Sequence, residues 1–400
     1  MPFRVALSGL NAASADLNVT ANNIANANTI GFKGSRAQFA DVFAAGAQEI
    51  GMGVRLASVM QEFGQGGTDL TDRSLDLAIA GEGFFTLNDN GQLVYSRVGS
   101  FDLDREGYVV NNQGQRLQVF AATTAGTFNT GSLSDLRVTT TDSPPQATSS
   151  IEFGVNLPGD AQPPSIAVFD ADNPATYNHS TGLTLYDSLG TPHTVTAYFV
   201  RTATPNEWNA HIFVDGNAVG GANPMTYSGF GVLATPASGD FALPAYDPGN
   251  GAEPLTLTID VSQSTQFGSA FGVNRLFQDG FAAGRFSDID VDESGVLFAR
   301  FTNGRAEPLG QVALSNFANL QGLRQLGDTS WGETFASGDA VRGAPGTASF
   351  GLIQAGALES SNVDLTEQLV KMITAQRNFQ ANAQVISTAD QVTQAIINLR

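Results

Sequence analysis

The residues of this 400-residue chain that could carry out chemistry are few, and the first candidate is an alternating run of aspartates. Asp288, Asp290 and Asp292 have the spacing of the first three calcium ligands of an EF-hand loop. Such a loop also needs a glycine and a distal glutamate, but Glu293 and Ala299 stand at those two positions. The run is better interpreted as the solvent face of a strand that enters a turn, and we predict no metal site.

The histidines and the glycine-rich segments do not form a site either. The three histidines, His179, His193 and His211, lack the short spacing that places two metal ligands on one helix or hairpin. Gly81-Glu82-Gly83 resembles the start of a dinucleotide loop, but Thr86 replaces the third glycine and no helical pattern follows. Phosphate-loop and nucleophile-elbow motifs are absent, and so is cysteine. The sequence therefore predicts no catalytic residue, no cofactor and no enzyme activity.

Charge is spread unevenly along the chain and narrows the choice of partners. The net charge is −19, and residues 146–284 hold twelve acidic side chains against Arg201 and Arg275, whereas both ends are near neutral. This acidic excess argues against nucleic acid and anionic lipid as partners.

No apolar run approaches the ~20 residues of a membrane span. Residues 1–10 lack the basic and apolar regions of a secretory signal, so we expect no membrane insertion and no cleaved signal peptide.

Both ends of the chain carry small or apolar residues at alternating steps of four and three. On a helix, this spacing forms one narrow seam with the geometry of coiled-coil packing. The first helix is expected to run from about Phe3 to Asn28. Such a seam could simply pack on its own domain, and periodicity alone leaves that interpretation open. The occurrence at both ends, in sequence rich in Asn and Gln, favours contacts between copies. Because Asn is a poor helix former, we expect the terminal helices to be fully stabilised only by neighbouring copies. We expect the polymerisation interface to comprise Phe3, Leu7, Leu10, Leu17, Ile24, Leu365, Leu369, Met372, Phe379, Ile386, Ile396 and Leu399.

The middle of the chain has the turn residues of a β protein, and it alternates in character over residues 194–200 and 208–214. The pattern Asp102-x-Asp104-x-x-Gly107 recurs as Asp290-x-Asp292-x-x-Gly295. Two similar hairpins on either side of the acidic middle segment suggest one domain built from both, with that segment inserted at its tip. A return linker is expected near residues 262–286. The predicted fold class is mainly β with terminal α-helices, which pair side by side as an antiparallel, coiled-coil-like core domain followed by nested β domains.

Four domains follow from this pattern. They are a terminal helical polymerisation domain (1–30 with 358–400), an extended Gly-rich connection (31–74 with 337–357), an inner β domain (75–145 with 285–336) and an inserted outer β domain (146–284).

Several long segments of the chain match the sequence pattern of one known family. They are 8–13, 21–29, 31–33, 75–85, 356–365 and 376–380. These segments resemble the bacterial flagellar axial proteins, the family of rod and hook subunits. Within this family, the length of the chain, its large inserted segment and the ending Asn398-Leu399-Arg400 are most similar to hook proteins.

The resemblance implies a structural subunit that self-assembles into a curved, flexible tube. This tube joins the motor's rod to the filament and transmits torque as a universal joint in motility. The implied partners are copies of the chain, the distal rod, the hook cap, the hook–filament junction proteins and the flagellar type III export apparatus. The implied location is extracellular, in the hook and basal body.

Two other functions stay open at this point. A distal rod subunit is the nearest alternative, and imaging of the tagged protein relative to the outer-membrane ring would separate it from a hook subunit. A secreted glycan-binding or adhesive β protein is the distant alternative. In that case, a ligand should change the stability of a truncated chain that lacks both terminal segments.

Overall fold

A computed structural model describes residues 2–42, 51–123, 127–138 and 141–398. Helix α1 (Pro2–Ala25) and helix α2 (Leu365–Asn398) lie near the two ends of the chain, and the described residues between them form strands, turns and two short 3-10 turns. The predicted fold class, mainly β with paired terminal helices, is therefore confirmed. Within the described ranges, neither helix is long and apolar enough to cross a membrane.

The strands before residue 141 are β1 (Ser35–Asp41), β2 (Val54–Gln61), β3 (Thr68–Leu70), β4 (Leu77–Ala80), β5 (Phe84–Asp89), β6 (Gln92–Ser96), β7 (Asp102–Leu103), β8 (Val109–Val110), β9 (Arg116–Ala121) and β10 (Ser134–Asp135). Those of the middle segment are β11 (Ser150–Asn156), β12 (His179–Tyr186), β13 (Pro192–Arg201), β14 (Glu207–Val214), β15 (Asn217–Ala218), β16 (Asn223–Tyr227), β17 (Leu233–Thr235), β18 (Asp240–Ala242), β19 (Thr258–Asp260) and β20 (Gly272–Gln278). The remainder are β21 (Phe286–Val291), β22 (Val296–Phe301), β23 (Ala306–Val312), β24 (Leu314–Asn316), β25 (Arg324–Gly327), β26 (Ser330–Gly332), β27 (Val341–Gly343), β28 (Leu352–Ala355) and β29 (Ala357–Glu359).

Helix α1 ends three residues before the Asn28 that the sequence pattern suggests. The amide of Asn26 is shared between the carbonyls of Asn22 and Asn23, and tighter turns follow. The chain then reverses at Gly31, which has a φ of +66°. A left-handed conformation of this kind is favourable for glycine and ends the helical segment.

Packing divides the chain into two compact units. The first unit comprises residues 1–140, 288–300 and 306–400, and the second comprises 141–287 and 301–305. The main sheet of the first unit has the strand order β21-β22-β23-β9-β5-β6-β26-β25. One of its cores consists of Phe84, Tyr95, Phe317 and Trp331, with Phe63 packed against them.

The two repeated Asp-x-Asp segments form the same kind of turn in the first unit. The carboxylate of Asp104 accepts the amide of Tyr108, and that of Asp292 accepts the amide of Val296, each four residues ahead. Asp290 forms an ion pair with Arg300. The alternating aspartates thus shape and support turns, and no group of acidic and histidine side chains in the described ranges is arranged to hold a metal ion.

The second unit consists of two sheets around one core. The first has the order β18-β19-β11-β20 and the second has β12-β13-β14-β16-β17. Strands β13 and β14 alternate strictly, and the residues of β14 that face inward are Trp208, Ala210, Ile212 and Val214. Residues 262–286, which the sequence suggests are a linker, instead contain β20, which pairs antiparallel with β11. The cross-strand ion pair of Arg275 with Glu152 supports this pairing.

A histidine with two carboxylate partners joins separate turns of the second unit. His193 Nδ1 lies 2.6 Å from Asp215 and Nε2 lies 3.2 Å from Asp187. Asn250, from a distant loop, donates a hydrogen bond to the same Asp187 oxygen. Burial disfavours the imidazolium, but the two carboxylates outweigh burial, so that the pKa of His193 is raised. Both ring nitrogens therefore act as donors in the charged form.

This arrangement predicts that the second unit loses stability as the pH rises above 6.5. The folded-state pKa of His193 lies above its ordinary value of 6.5, so its stabilising effect is complete below that pH and lost as the pH rises through the folded pKa. Burial lowers the pKa of His179 and His211, so these two act in the opposite direction. Thermal unfolding, followed by the fluorescence of Trp208 in a Trp331→Phe background, should show a falling midpoint. An equal fall in a His193→Asn variant would contradict the assignment.

The terminal helix pair as candidate assembly site

Helices α1 and α2 run antiparallel in a constant register. Near the base of the pair, Asn23 Nδ2 donates a 3.2 Å hydrogen bond to Gln368 Oε1. Further along, a Cβ placed on Gly9 would lie only 2.6 Å from Asn382 Oδ1. The separation of these two points along α1 equals their separation along α2, so the helices stay in register between them.

Small or polar side chains, rather than the large apolar ones, lie at the centre of the helix pair. Ala6, Ala13 and Thr20 are buried at heptad spacing on α1, and Gln368 and Ala375 are buried at the same spacing on α2. Small residues allow two helices to approach closely, as the contact at Gly9 illustrates. The residues of this seam were not among the predicted contacts, although their period of seven is visible in the same segments.

The residues predicted to form the polymerisation interface flank this seam. Four of them have between 43% and 52% of their surface exposed, namely Phe3, Leu7, Leu365 and Leu369. Six are half-buried, namely Leu10, Leu17, Ile24, Met372, Phe379 and Ile386. Ile396 belongs to α2, but its side chain, like the whole of Leu399, lies outside the described residues.

Helix α2 exposes further apolar residues that the prediction did not include. They are Val370, Ile373, Val385, Val392 and Ile397. In the register set by Gly9 and Asn382, α1 begins opposite residue 389, so the last turns of α2 continue beyond it. Phe3, Val385 and Val392 line a groove of about 710 Å³ at this end of the pair. A single chain thus leaves a large apolar surface uncovered, which is typical of an interaction site.

A buried ion cluster fixes the other end of the helix pair to the strands. Lys33 Nζ donates to Glu359 Oε1 at 2.6 Å and to the Gly64 carbonyl at 2.8 Å. Arg97 Nη1 donates to the second oxygen of Glu359 at 3.2 Å. These three charged side chains are at most 5% exposed. The cluster therefore joins the segment that follows α1 to the segment that precedes α2.

Burial is the main influence on both cations of this cluster. It lowers the pKa of Lys33 and of Arg97, and the carboxylate of Glu359 opposes that effect in each case. Since Glu359 is the shared partner, its loss would leave two buried cations without an ion-pair partner. A buried charge without a partner is far more costly than a hydrophobic residue at the same place.

Asparagine side chains complete the attachment of the helices. Asn23 accepts the amide of Ser35 at 2.8 Å and donates to its carbonyl at 2.7 Å, so that α1 is bonded to the start of β1. Asn362 in turn accepts the amide of Gly34 and donates to the carbonyl of Glu62. Asparagine is a poor helix former, and this bonding explains the presence of Asn23 in the last turns of α1.

Four family models match successive parts of the chain. They are described as flagella basal body rod protein (residues 3–33), flagellar hook protein FlgE/F/G D1 domain (78–168), flagellar basal body protein FlaE D2 domain (156–281) and flagellar basal body rod FlgEFG protein C-terminal (354–399).

Relatives of known function match over the full length. The chain is 39% identical to the flagellar hook protein FlgE of Escherichia coli K12, with 100% of both chains covered. It is 32% identical to the flagellar hook protein FlgE of Borreliella burgdorferi, with 98% of both chains covered. The crystal structure of the Helicobacter pylori flagellar hook protein FlgE2 has the same fold, with a TM-score of 0.55 at 15% identity over 73% of this chain and 100% of that one.

Proposed function

Since this chain belongs to the flagellar hook proteins and is a structural subunit of the hook, we propose that its two terminal helices are the polymerisation domain. Two observations support this proposal: apolar side chains along both helices are left exposed, and a groove runs where α2 continues beyond α1. A neighbouring helix pair would bury these side chains. Burial of each Leu, Ile or Phe contributes about 1.5–3 kcal/mol.

We further propose that stiffness and flexibility are divided between the parts of one subunit. The packed helices form the inner, torsionally stiff wall of the tube, because close-packed apolar contacts resist deformation. The acidic second unit lies outside and meets its neighbours mainly through polar surfaces, which tolerate changes of register as the tube bends and rotates. Residues 31–74 with 337–357 connect the helices to the β domains, and the second unit is the inserted outer domain.

The family also leads us to propose the subunit's location and its neighbours. The chain is exported by the flagellar type III apparatus and assembles outside the cell. It contacts the distal rod at one end of the tube, and the cap or the hook–filament junction proteins at the other. Its action is mechanical, and no catalytic step is assigned to it.

Deletion of α2 tests the role of the helices. A chain that ends at Val363 should fold, stay monomeric and form no tubes, because it keeps the ion cluster but lacks half of the helix pair. A deletion that begins at Leu358 is less suitable, since it also removes Glu359 and destabilises the strands. Circular dichroism and electron microscopy of the same samples give the readout. Tubes formed by the chain that ends at Val363 would refute the proposal.

A further inference from the structure

Three asparagines of the chain are followed directly by glycine, a pairing that permits the backbone to react with the side chain. They are Asn90, Asn250 and Asn303. The amide nitrogen of the glycine can attack the side-chain carbonyl carbon, because the chain holds these two groups close together. Glycine also has no side chain that obstructs the approach. The surroundings of each pair decide how readily the attack occurs.

The glycine amides of the three pairs differ in their hydrogen bonds. The amide of Gly91 donates to Asn88 Oδ1 at 2.7 Å, and that of Gly304 donates to the Phe301 carbonyl at 3.0 Å. The amide of Gly251 donates to no acceptor among the residues that the structure describes. Attack by Gly91 or Gly304 therefore has to break a hydrogen bond first, whereas attack by Gly251 does not.

The side chain of Asn250 is held by contacts that suit this reaction. Its Oδ1 accepts the amide of Ala252 at 3.0 Å, which stabilises the negative charge that develops on this oxygen during attack. Its Nδ2, the nitrogen that would leave, donates to Asp187 Oδ2 at 2.6 Å. The same Asp187 oxygen lies 3.2 Å from His193 Nε2, so the leaving nitrogen and a proton donor share one carboxylate oxygen.

Asn250 also supports the turn that follows β12. The carboxylate of Asp187 is fully buried and accepts the amides of Leu189 and Thr191. Burial disfavours its ionised form, and the hydrogen bond from Asn250 is the largest of the contacts that hold the pKa of Asp187 below its ordinary value. A carboxylate at position 250 would replace this donor with a negative charge that faces Asp187, which disfavours both ionised forms.

We propose that Asn250 is a site of spontaneous deamidation and that this reaction loosens the second unit. The Gly251 nitrogen loses its proton to water and forms a bond to Cγ of Asn250. The bond from Cγ to Nδ2 breaks, and this nitrogen takes up a proton and leaves as ammonia. Water then opens the five-membered imide at either carbonyl and yields aspartate or isoaspartate, with ammonium as the other product.

This inference goes beyond the proposed function, because the reaction needs only water and a single folded chain. Each event removes the donor to Asp187 and adds one negative charge to a unit that is already acidic. In an assembly whose copies are not replaced, the modified fraction rises with time. The second units of older assemblies would then be less stable than those of new ones.

Peptide mass mapping of the full-length chain, incubated warm at mildly alkaline pH, compares the three sites in one sample. Asn250 should convert at least about fivefold faster than Asn90 or Asn303, which is the rate effect of one hydrogen bond of about 1 kcal/mol. Asn250→Gln is the matched control and should stay unmodified at this position, since its longer side chain cannot close a five-membered imide. Conversion at Asn250 that is no faster than at the other two sites would overturn the proposal.

An Asn250→Asp variant reproduces one product and tests its effect on the second unit. Its thermal midpoint, followed by the fluorescence of Trp208 in a Trp331→Phe background, should fall by at least about 2–4 °C. Gln162→Glu is the control, because it adds the same charge to an exposed side chain of the same unit that bonds to the nearby Asp160 carbonyl. It should leave the midpoint nearly unchanged. Equal midpoints of the two variants would contradict the loosening by deamidation.

Discussion

Replacement of Leu369 with aspartate should abolish tube formation and leave the monomer folded. Leu369 is 50% exposed in a single chain and lies near the N-terminal end of α2, where the helix dipole tolerates a negative charge. In the tube, the change would remove one apolar contact for each copy and bury a carboxylate. We expect the critical concentration for assembly to rise by a factor of at least about one hundred.

The positions for this test are chosen by how much of each side chain is exposed in a single chain. Leu7 on α1 is 43% exposed, and Leu7→Asp should have the same effect. Leu10 and Leu17 are half-buried, so charges there would disturb folding and assembly together. Leu369→Met is the matched control, because it keeps apolar character and volume and should still form tubes. Sedimentation of assembled material measures all three variants, and normal tubes of Leu369→Asp would show that this position is not a contact.

Replacement of Glu359 with alanine has the largest expected effect on the stability of a single chain. It leaves Lys33 and Arg97 buried without their shared carboxylate. Removal of one partner from a buried ion pair costs about 3–5 kcal/mol. Urea denaturation, followed by the fluorescence of Trp331 in a Trp208→Phe background, should show the loss in the first unit.

The control for this variant is an exposed ion pair. Glu367 and Lys371 form a pair four residues apart on the surface of α2, with side chains 61% and 41% exposed. Glu367→Ala should change the free energy of unfolding by less than about 0.5 kcal/mol. If Glu359→Ala were as mild as Glu367→Ala, the buried cluster would not be what joins the two ends of the chain.

The sequence predicted the elements whose cause is local. The steps of four and three identified both helices, and the alternation of β13 and β14 was visible residue by residue. The recurring Asp-x-Asp-x-x-Gly segments form similar turns because an aspartate of each segment bonds to nearby backbone. Asp104 and Asp292 each accept a hydrogen bond from the amide four residues ahead. Short-range patterns of this kind are sufficient to predict element type and fold class.

The parts that the sequence analysis missed depend on distant partners. Lys33, Arg97 and Glu359 are far apart in the chain, and nothing near any of them indicates an ion cluster. The large apolar residues drew attention away from Ala6, Ala13 and Thr20, which make the closest helix contact because they are small. Strand β20 has exposed residues and no alternation, since it lies at the edge of its sheet, so its sequence resembles a linker.

The proposed role of the terminal helices requires that they be fully stabilised only by neighbouring copies. Hydrogen–deuterium exchange of residues 2–25 and 365–398, compared between the monomer and assembled tubes, tests it most directly. We predict rapid exchange of these amides in the monomer and strong protection in tubes, with the strand cores protected in both states. Helices as well protected in a lone chain as in the tube would contradict the account.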